Sequence, residues 1–231
     1  MIGIIGAMTV ETKALCAALC DPKEQTVSGI TYTVGRLEGQ EVVIATCGVG
    51  KVFAAICAQT MILTYHPDLI INTGVGGTLT SALGIGDVAV ASALVQHDMD
   101  TSAIGDPVGL VSGINKIYFE ADEKIADKLT ECVTACGMHA ERGVIASGDQ
   151  FVASRERKEF ITGTFGAIAC EMEGAAIAHV ATVNGVPFAV LRAISDEADG
   201  HATVDFPTFA ARAAENSVAV LRRFLSASQG L

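Results

Sequence analysis

Short runs rich in valine and isoleucine alternate along this 231-residue chain with longer stretches whose apolar residues recur at helical spacing. The short runs predict strands at 2–6, 30–37, 41–47, 69–73, 86–95, 143–147, 167–170 and 188–194. The longer stretches predict helices at 9–20, 51–65, 120–136, 154–161, 171–184 and 205–226. Most strand runs are apolar throughout, as strands covered on both faces are. Strand and helix alternate for most of the length, so the expected fold is α/β, three-layer α/β/α with a central mixed, mainly parallel twisted sheet. No Pro/Ser linker, low-complexity tract or internal repeat breaks the chain, and residues 1–231 read as one domain.

Two helix boundaries carry explicit signals. Asp205-Phe206-Pro207 supplies a capping carboxylate and a first-turn proline, and Phe206, Phe209, Ala213, Ser217, Leu221 and Phe224 then mark one helix face. The helix from 171 is expected to stop at Asn184-Gly185, with Pro187 just beyond.

In open α/β sheets ligands sit beyond the carboxyl ends of the strands. The segments that follow the expected strands are therefore the ones to inspect. They are Ala7-Met8-Thr9-Val10-Glu11, Gly48-Val49-Gly50-Lys51, Gly74-Val75-Gly76-Gly77, Gly148-Asp149-Gln150-Phe151, Glu171-Met172-Glu173 and Ser195-Asp196-Glu197. Carboxylates, glycine turns and one aromatic thus gather on one sheet edge, as a small-molecule site with a general acid and base requires.

Composition narrows the ligand. The formal charge of −11 argues against a nucleic-acid surface, which needs clustered Lys and Arg, but not against an uncharged nucleoside. No apolar run is long enough to span a bilayer, and Met1-Ile2-Gly3-Ile4-Ile5 reads as a strand rather than a signal peptide. The seven cysteines are expected to be free thiols in a reducing, cytoplasmic setting. Cys16/Cys20 and Cys132/Cys136 would each share a helix face, where helix packing explains them better than a four-thiolate zinc site. Gly74-Val75-Gly76 lacks the third glycine of a dinucleotide fingerprint, with Leu79 in its place. Gly48-Val49-Gly50-Lys51 lacks the opening glycine and closing hydroxyl of a P-loop. His97-Asp98-Met99-Asp100 looks metal-like but has no further converging ligand, so a polar turn is expected. Neither a cofactor nor a metal is expected.

These segments, taken in order, resemble the 5′-methylthioadenosine/S-adenosylhomocysteine nucleosidases of the nucleoside phosphorylase superfamily. The resemblance runs essentially end to end. It is carried by Ile4-Ile5-Gly6-Ala7-Met8 with Glu11, Cys47-Gly48-Val49-Gly50-Lys51, Pro67-Asp68 leading into Ile71-Asn72-Thr73-Gly74, Ser147-Gly148-Asp149-Gln150-Phe151, Glu171-Met172-Glu173-Gly174-Ala175-Ala176 and Arg192-Ala193-Ile194-Ser195-Asp196. It implies a nucleoside phosphorylase-like fold, and hydrolysis of the N-glycosidic bond of 5′-methylthioadenosine and S-adenosylhomocysteine. The implied partners are the nucleoside, water and a second copy of the chain, with no nucleic acid and no membrane.

The resemblance assigns roles residue by residue, each beside a plainer structural reading. Asp196 matches the acid that protonates adenine N7, positioned by Ser195; otherwise it caps a turn. Glu11 matches the base for the attacking water; otherwise it is a first-turn acid favoured by the helix dipole. Glu173 matches the carboxylate on the ribose hydroxyls, with Met172 beside it, while Glu171 reads as a charge opening a helix. Phe151 matches the ring packed on adenine and the Val152 backbone faces the base edge. Met8, Val49 and Phe206 match an apolar pocket for the 5′-alkylthio group. Arg192 matches an arginine near water and ribose; otherwise it is an ion-paired strand residue. Gly76 and Gly77 stand where relatives often have Ala-Gly, and Val75 where they often have a hydroxyl. Thr101 to Ile104 matches the stretch that reaches a neighbour's 5′ pocket. A phosphorylase would need an arginine in place of Asn72 and a hydroxyl in place of Val75. Another adenine nucleoside, such as 6-amino-6-deoxyfutalosine, is the alternative substrate, and a non-catalytic storage protein the alternative class.

Overall fold

The computed structural model describes residues 1–200 and 202–228. In chain order the elements are β1 (Ile2–Gly6), α1 (Thr9–Ala17), β2 (Cys20–Val27), β3 (Ile30–Leu37), β4 (Gln40–Thr46), α2 (Lys51–Tyr65), β5 (Leu69–Thr78), β6 (Val88–Gln96), β7 (Tyr118–Glu120), α3 (Glu123–Ala135), β8 (Ala140–Ser147), α4 (Arg155–Phe165), β9 (Ala167–Glu171), α5 (Gly174–Asn184), β10 (Phe188–Asp196) and α6 (Ala202–Ala227). A 3-10 turn lies at Ser102–Ile104.

The strands form one mixed sheet in the order β10-β6-β8-β9-β5-β1-β4-β3-β2, with β7 on β6. β5 pairs in parallel with both β1 and β10, and β10 turns antiparallel against β6, so the path from β5 through β9, β8 and β6 returns to β5. That curvature gathers the carboxyl ends of β5, β8, β9 and β10 around one hollow. α1, α3 and α6 cover one face through Leu15, Leu129, Val133, Leu221 and Phe224; α2 and α5 cover the other through Cys57, Met61, Ile177 and Ala181. This is the three-layer arrangement expected.

β5 and β10 are buried at every position, which is why they read as continuous apolar runs rather than alternating ones. On α6 the expected face is the packed one: Ala213, Ser217, Leu221 and Phe224 are all buried. α5 stops where expected, with Gly185 left-handed at φ +68°.

The differences have physical causes. The helix expected at 9–20 ends at Ala17, and Cys20–Val27 forms an edge strand instead. Every residue from Cys20 to Thr26 is exposed, so no buried face imprints a period on its sequence. Cys20 therefore does not share a helix face with Cys16. The expected strand at 69–73 runs on to Thr78, because Gly74, Gly76 and Gly77 are ladder residues paired with β10 rather than a turn. β10 likewise extends to Asp196. The helix expected from 171 starts at Gly174, and Glu171 ends β9. α6 begins at Ala202, so Asp205 is not its cap and Pro207 lies inside it. There the proline, sixth in the helix, forgoes the bond that an N–H at this position would make to the Thr203 carbonyl.

Candidate active site

The hollow at the strand ends is a cavity of about 290 Å³. Ala7, Met8 and Glu11 enter it after β1, Val49 after β4, and Val75, Gly76 and Gly77 from β5. Gln150, Phe151 and Val152 follow β8, Cys170 to Glu173 come from the end of β9, Ser195 and Asp196 from the end of β10, and Phe206 from α6. All the site residues named from the sequence are on this wall except Arg192.

Glu11 is the third residue of α1, and its carboxylate turns back over the helix start. Oε2 accepts the N–H groups of Ala7 (2.7 Å) and Met8 (2.9 Å), and Oε1 accepts that of Val75 (3.1 Å). A side chain on Gly74 would meet Oε1 at 2.6 Å, so this close approach requires glycine. Burial raises the Glu11 pKa above the ordinary glutamate value, against Arg192 and the three N–H groups, which lower it.

Asp196 ends β10. Its Oδ1 accepts the Ala198 N–H at 2.9 Å, and the Ser195 hydroxyl lies 2.9 Å from Oδ2. Burial raises its pKa too, the Ala198 and Ser195 hydrogen bonds lower it, and the charges of Asp205 and Asp199 raise it further. A Cβ on Gly77 would sit 2.6 Å from Oδ1.

Glu173 precedes α5 and accepts the Gly50 N–H at 2.8 Å. Burial, then the charge of Glu171, raises its pKa. Glu171 opens α5 as a charge should: its Oε2 accepts the N–H groups of Glu173 (3.0 Å) and Gly174 (2.6 Å). It also takes the Ser147 hydroxyl and the Arg192 guanidinium. Arg192, 1% exposed, stands behind the wall. Its Nη2 donates to Glu171 and to Asn72 Oδ1, its Nη1 to the Leu191 carbonyl at 2.9 Å, and it lies 3.9 Å from Glu173. Arg192 thus does not line the cavity itself but is paired with the carboxylates behind its wall. Burial disfavours its charge, but Glu171, Glu173 and Glu11 outweigh that and hold it as a cation.

The rest of the wall is mostly apolar. Phe151 and Phe206 meet edge to face, with centroids 5.6 Å apart, and Val49 and Phe151 are half exposed at the rim. Ala7, Val75, Gln150, Cys170 and Glu171 line the cavity without having been named as site residues. Their signal was position alone: Ala7, Val75, Gln150 and Glu171 each adjoin a named residue, and Cys170 lies two residues from Met172. The Cys170 thiol is pushed up by burial, which leaves it an inert apolar contact.

The other motifs find protein partners. His97 is buried with Nδ1 2.8 Å from Arg157 Nη2, and burial with that guanidinium pushes its pKa down to about 4. Asp98 pairs with Lys51 at 2.6 Å, and Asp100 accepts the Ser102 N–H at 2.8 Å. This is the hydrogen-bonding of a polar turn. Among the described residues no helix is long and apolar enough to cross a membrane.

Residues 1–226 match the family model of the phosphorylase superfamily. A 5′-methylthioadenosine/S-adenosylhomocysteine nucleosidase of Shewanella loihica is 38% identical over 218 residues, 94% of each chain. The chain belongs to this nucleosidase family. Members are N-ribosyl hydrolases. Among solved structures, the Streptococcus pyogenes S-adenosylhomocysteine nucleosidase in complex with 5-methylthiotubericidin is similar at TM-score 0.94 and 38% identity, covering 98% of this chain and 96% of that one. A futalosine hydrolase of Helicobacter pylori is similar at TM-score 0.93 and 38% identity, covering 98% and 97%.

For a nucleosidase the composition of the wall is informative. Among the described residues that line the cavity there is no arginine or lysine. Asn72 is fully buried, spanning Arg192 and the Ile5 carbonyl, which its Nδ2 reaches at 2.9 Å. It presents nothing to the cavity.

Proposed function

We propose that this nucleosidase hydrolyses the N-glycosidic bond of 5′-methylthioadenosine and S-adenosylhomocysteine. Asp196 protonates adenine N7, which makes the base a neutral leaving group as the bond between C1′ and N9 breaks. Glu11 takes a proton from the water whose oxygen bonds to C1′. Glu173 accepts from the ribose hydroxyls, Phe151 packs on the base, and Met8, Val49 and Phe206 receive the 5′-thioether. The supporting observation is that two buried carboxyls are anchored at different points of one strand, Glu11 at the Val75 N–H and Asp196 beside Gly77. A cavity without lysine or arginine favours water over phosphate as the nucleophile.

A different 5′ substituent is the second reading, favoured by the likeness to a futalosine hydrolase. Val49, on the proposed 5′ lining, is half exposed at the rim.

We also take the chain to act in the cytoplasm as a two-fold homodimer, with the whole chain as one domain. α2 exposes Val52, Phe53, Ile56 and Leu63, and Ile104 is 81% exposed. Such a patch fits a self-complementary interface that brings Thr101–Ile104 of a second copy to the 5′ end.

Asp196→Asn tests the mechanism. The amide still accepts from Ala198, and its NH2 can donate to the Ser195 hydroxyl, so folding is retained. It has no proton to transfer, and turnover of 5′-methylthioadenosine should fall by roughly two to four powers of ten. A variant that melts like the parent and keeps more than about a tenth of its turnover would show that Asp196 is not the acid.

A further inference from the structure

Two segments meet just outside the cavity wall: the start of α2 and the turn after β8. Gly50, at φ +100°, gives its N–H to Glu173, and the next residue, Lys51, gives its N–H to Asp149 Oδ1 at 2.7 Å. The Asp149 N–H goes to Asp98 Oδ2 at 2.9 Å, and Asp98 Oδ1 pairs with Lys51 Nζ at 2.6 Å. The circuit is closed: each of the three residues is bonded to the other two. Lys51 Nζ is further held by Gln96 Oε1 at 3.2 Å. A Cβ on Gly50 would come within 3.0 Å of Asp149 Oδ1, so the backbone approach depends on glycine. Beneath the turn, the His97 ring occupies the space a Gly148 side chain would need. One end of the circuit thus adjoins the N–H on Glu173, and the other lies two residues from Phe151.

We propose that Lys51, Asp98 and Asp149 form a clasp that fixes Phe151 and Glu173 relative to each other, so that one ion-paired circuit sets the base and sugar subsites together. They are positioning residues, since none of them lines the cavity. The inference rests on the adenine-nucleoside reading for the identity of the subsites. Its geometry does not. The Lys51 and Asp98 side chains are each only 18% exposed, so removing one partner costs some stability, and melting is followed beside the kinetics to show that each variant is folded in the assay.

Two variants open the clasp differently. Asp149→Ala removes the acceptor for the Lys51 N–H, and Lys51→Met removes the ammonium while keeping that N–H. With 5′-methylthioadenosine, each should raise KM by about tenfold and lower kcat by less than about threefold, in protein that is folded at the assay temperature. In a Phe151→Ala background, Asp149→Ala should raise KM clearly less than it does in the parent, because only the hold on Glu173 is left to lose. A KM within about twofold of the parent in both variants, or fully additive losses, would overturn the clasp. Hydrogen exchange in the ligand-free protein gives a reading independent of substrate. Lys51→Met and Asp98→Ala should speed exchange of amides 149–152 by about tenfold or more and leave β5 unchanged. Unchanged exchange overturns the clasp whatever the enzyme turns over. Faster exchange in a protein whose parent releases no adenine would uphold the clasp and overturn the substrate reading.

Discussion

Glu11 and Asp196 are both carboxyls whose pKa burial raises, but their surroundings oppose that rise unequally. Glu11 faces Arg192 and three backbone N–H donors, all of which favour its ion. Asp196 has one N–H and one hydroxyl, and two further aspartates disfavour its ion. With Glu11 as the base and Asp196 as the acid, the pH profile of kcat/KM should be bell-shaped. As pH falls Glu11 takes up a proton and can no longer accept one; as pH rises Asp196 loses the proton it donates. Glu11→Gln should cost about a hundredfold or more in turnover and abolish the acid limb of what remains. Asp196→Asn should abolish the alkaline limb. A residual profile that keeps both limbs in either variant would contradict the assignment. Stability has a sign of its own. A carboxyl whose folded pKa exceeds its unfolded one contributes stability below the unfolded value and loses it as pH rises through the folded value. Asp196→Asn removes that loss, so at neutral pH it should melt no lower than the parent. That Glu11, Glu173, Asp196, Phe151, Met8, Val49 and Phe206 share one wall was legible in the sequence, because the motifs carry them. The seat of Arg192 was not, because only the fold reveals that Glu171 and Asn72 already claim its guanidinium.

At the scale of elements, β5 is where the site is assembled. Gly74 makes room for Glu11, Gly76 for the Cys170 carbonyl, and Gly77 for Asp196. The sequence shows a glycine-rich run and reads as a turn, because glycine more often marks a turn than a strand buried on both faces. Only the ladder with β10 shows that the run stays extended. Gly77→Ala tests this reading. The added methyl meets Asp196 Oδ1 and, at 2.9 Å, the Ala198 side chain, so the acid must move. Turnover should fall on the order of ten- to a hundredfold with the fold retained, as expected for an ångström-scale displacement. Unchanged kcat would mean that Asp196 need not sit where it does. β2 and β7 escaped the sequence for opposite reasons. β2 carries Asp21-Pro22-Lys23 on an exposed edge, and β7 is three residues long, absorbed into the helical pattern that follows.

The whole molecule combines a strongly negative formal charge with a cavity that, among the described residues, no lysine or arginine lines, Arg192 being walled off behind carboxylates. A formal charge of −11 does not attract phosphate, and an uncharged nucleoside is indifferent to it. The apolar surface of α2 and the projecting Ile104 argue for two copies. Sedimentation at micromolar concentration should show a dimer, and an active monomer there would contradict the pairing. Alternation of strand and helix made the layers legible, whereas the return of the sheet onto β5 depends on pairings between distant strands that no local pattern encodes. The central claim, that water and not phosphate attacks C1′, is tested most directly by analysing the sugar released from 5′-methylthioadenosine in phosphate buffer. The account predicts free 5-methylthioribose carrying an oxygen from water, with adenine released at the same rate when phosphate is omitted. A sugar 1-phosphate as the main product would contradict it.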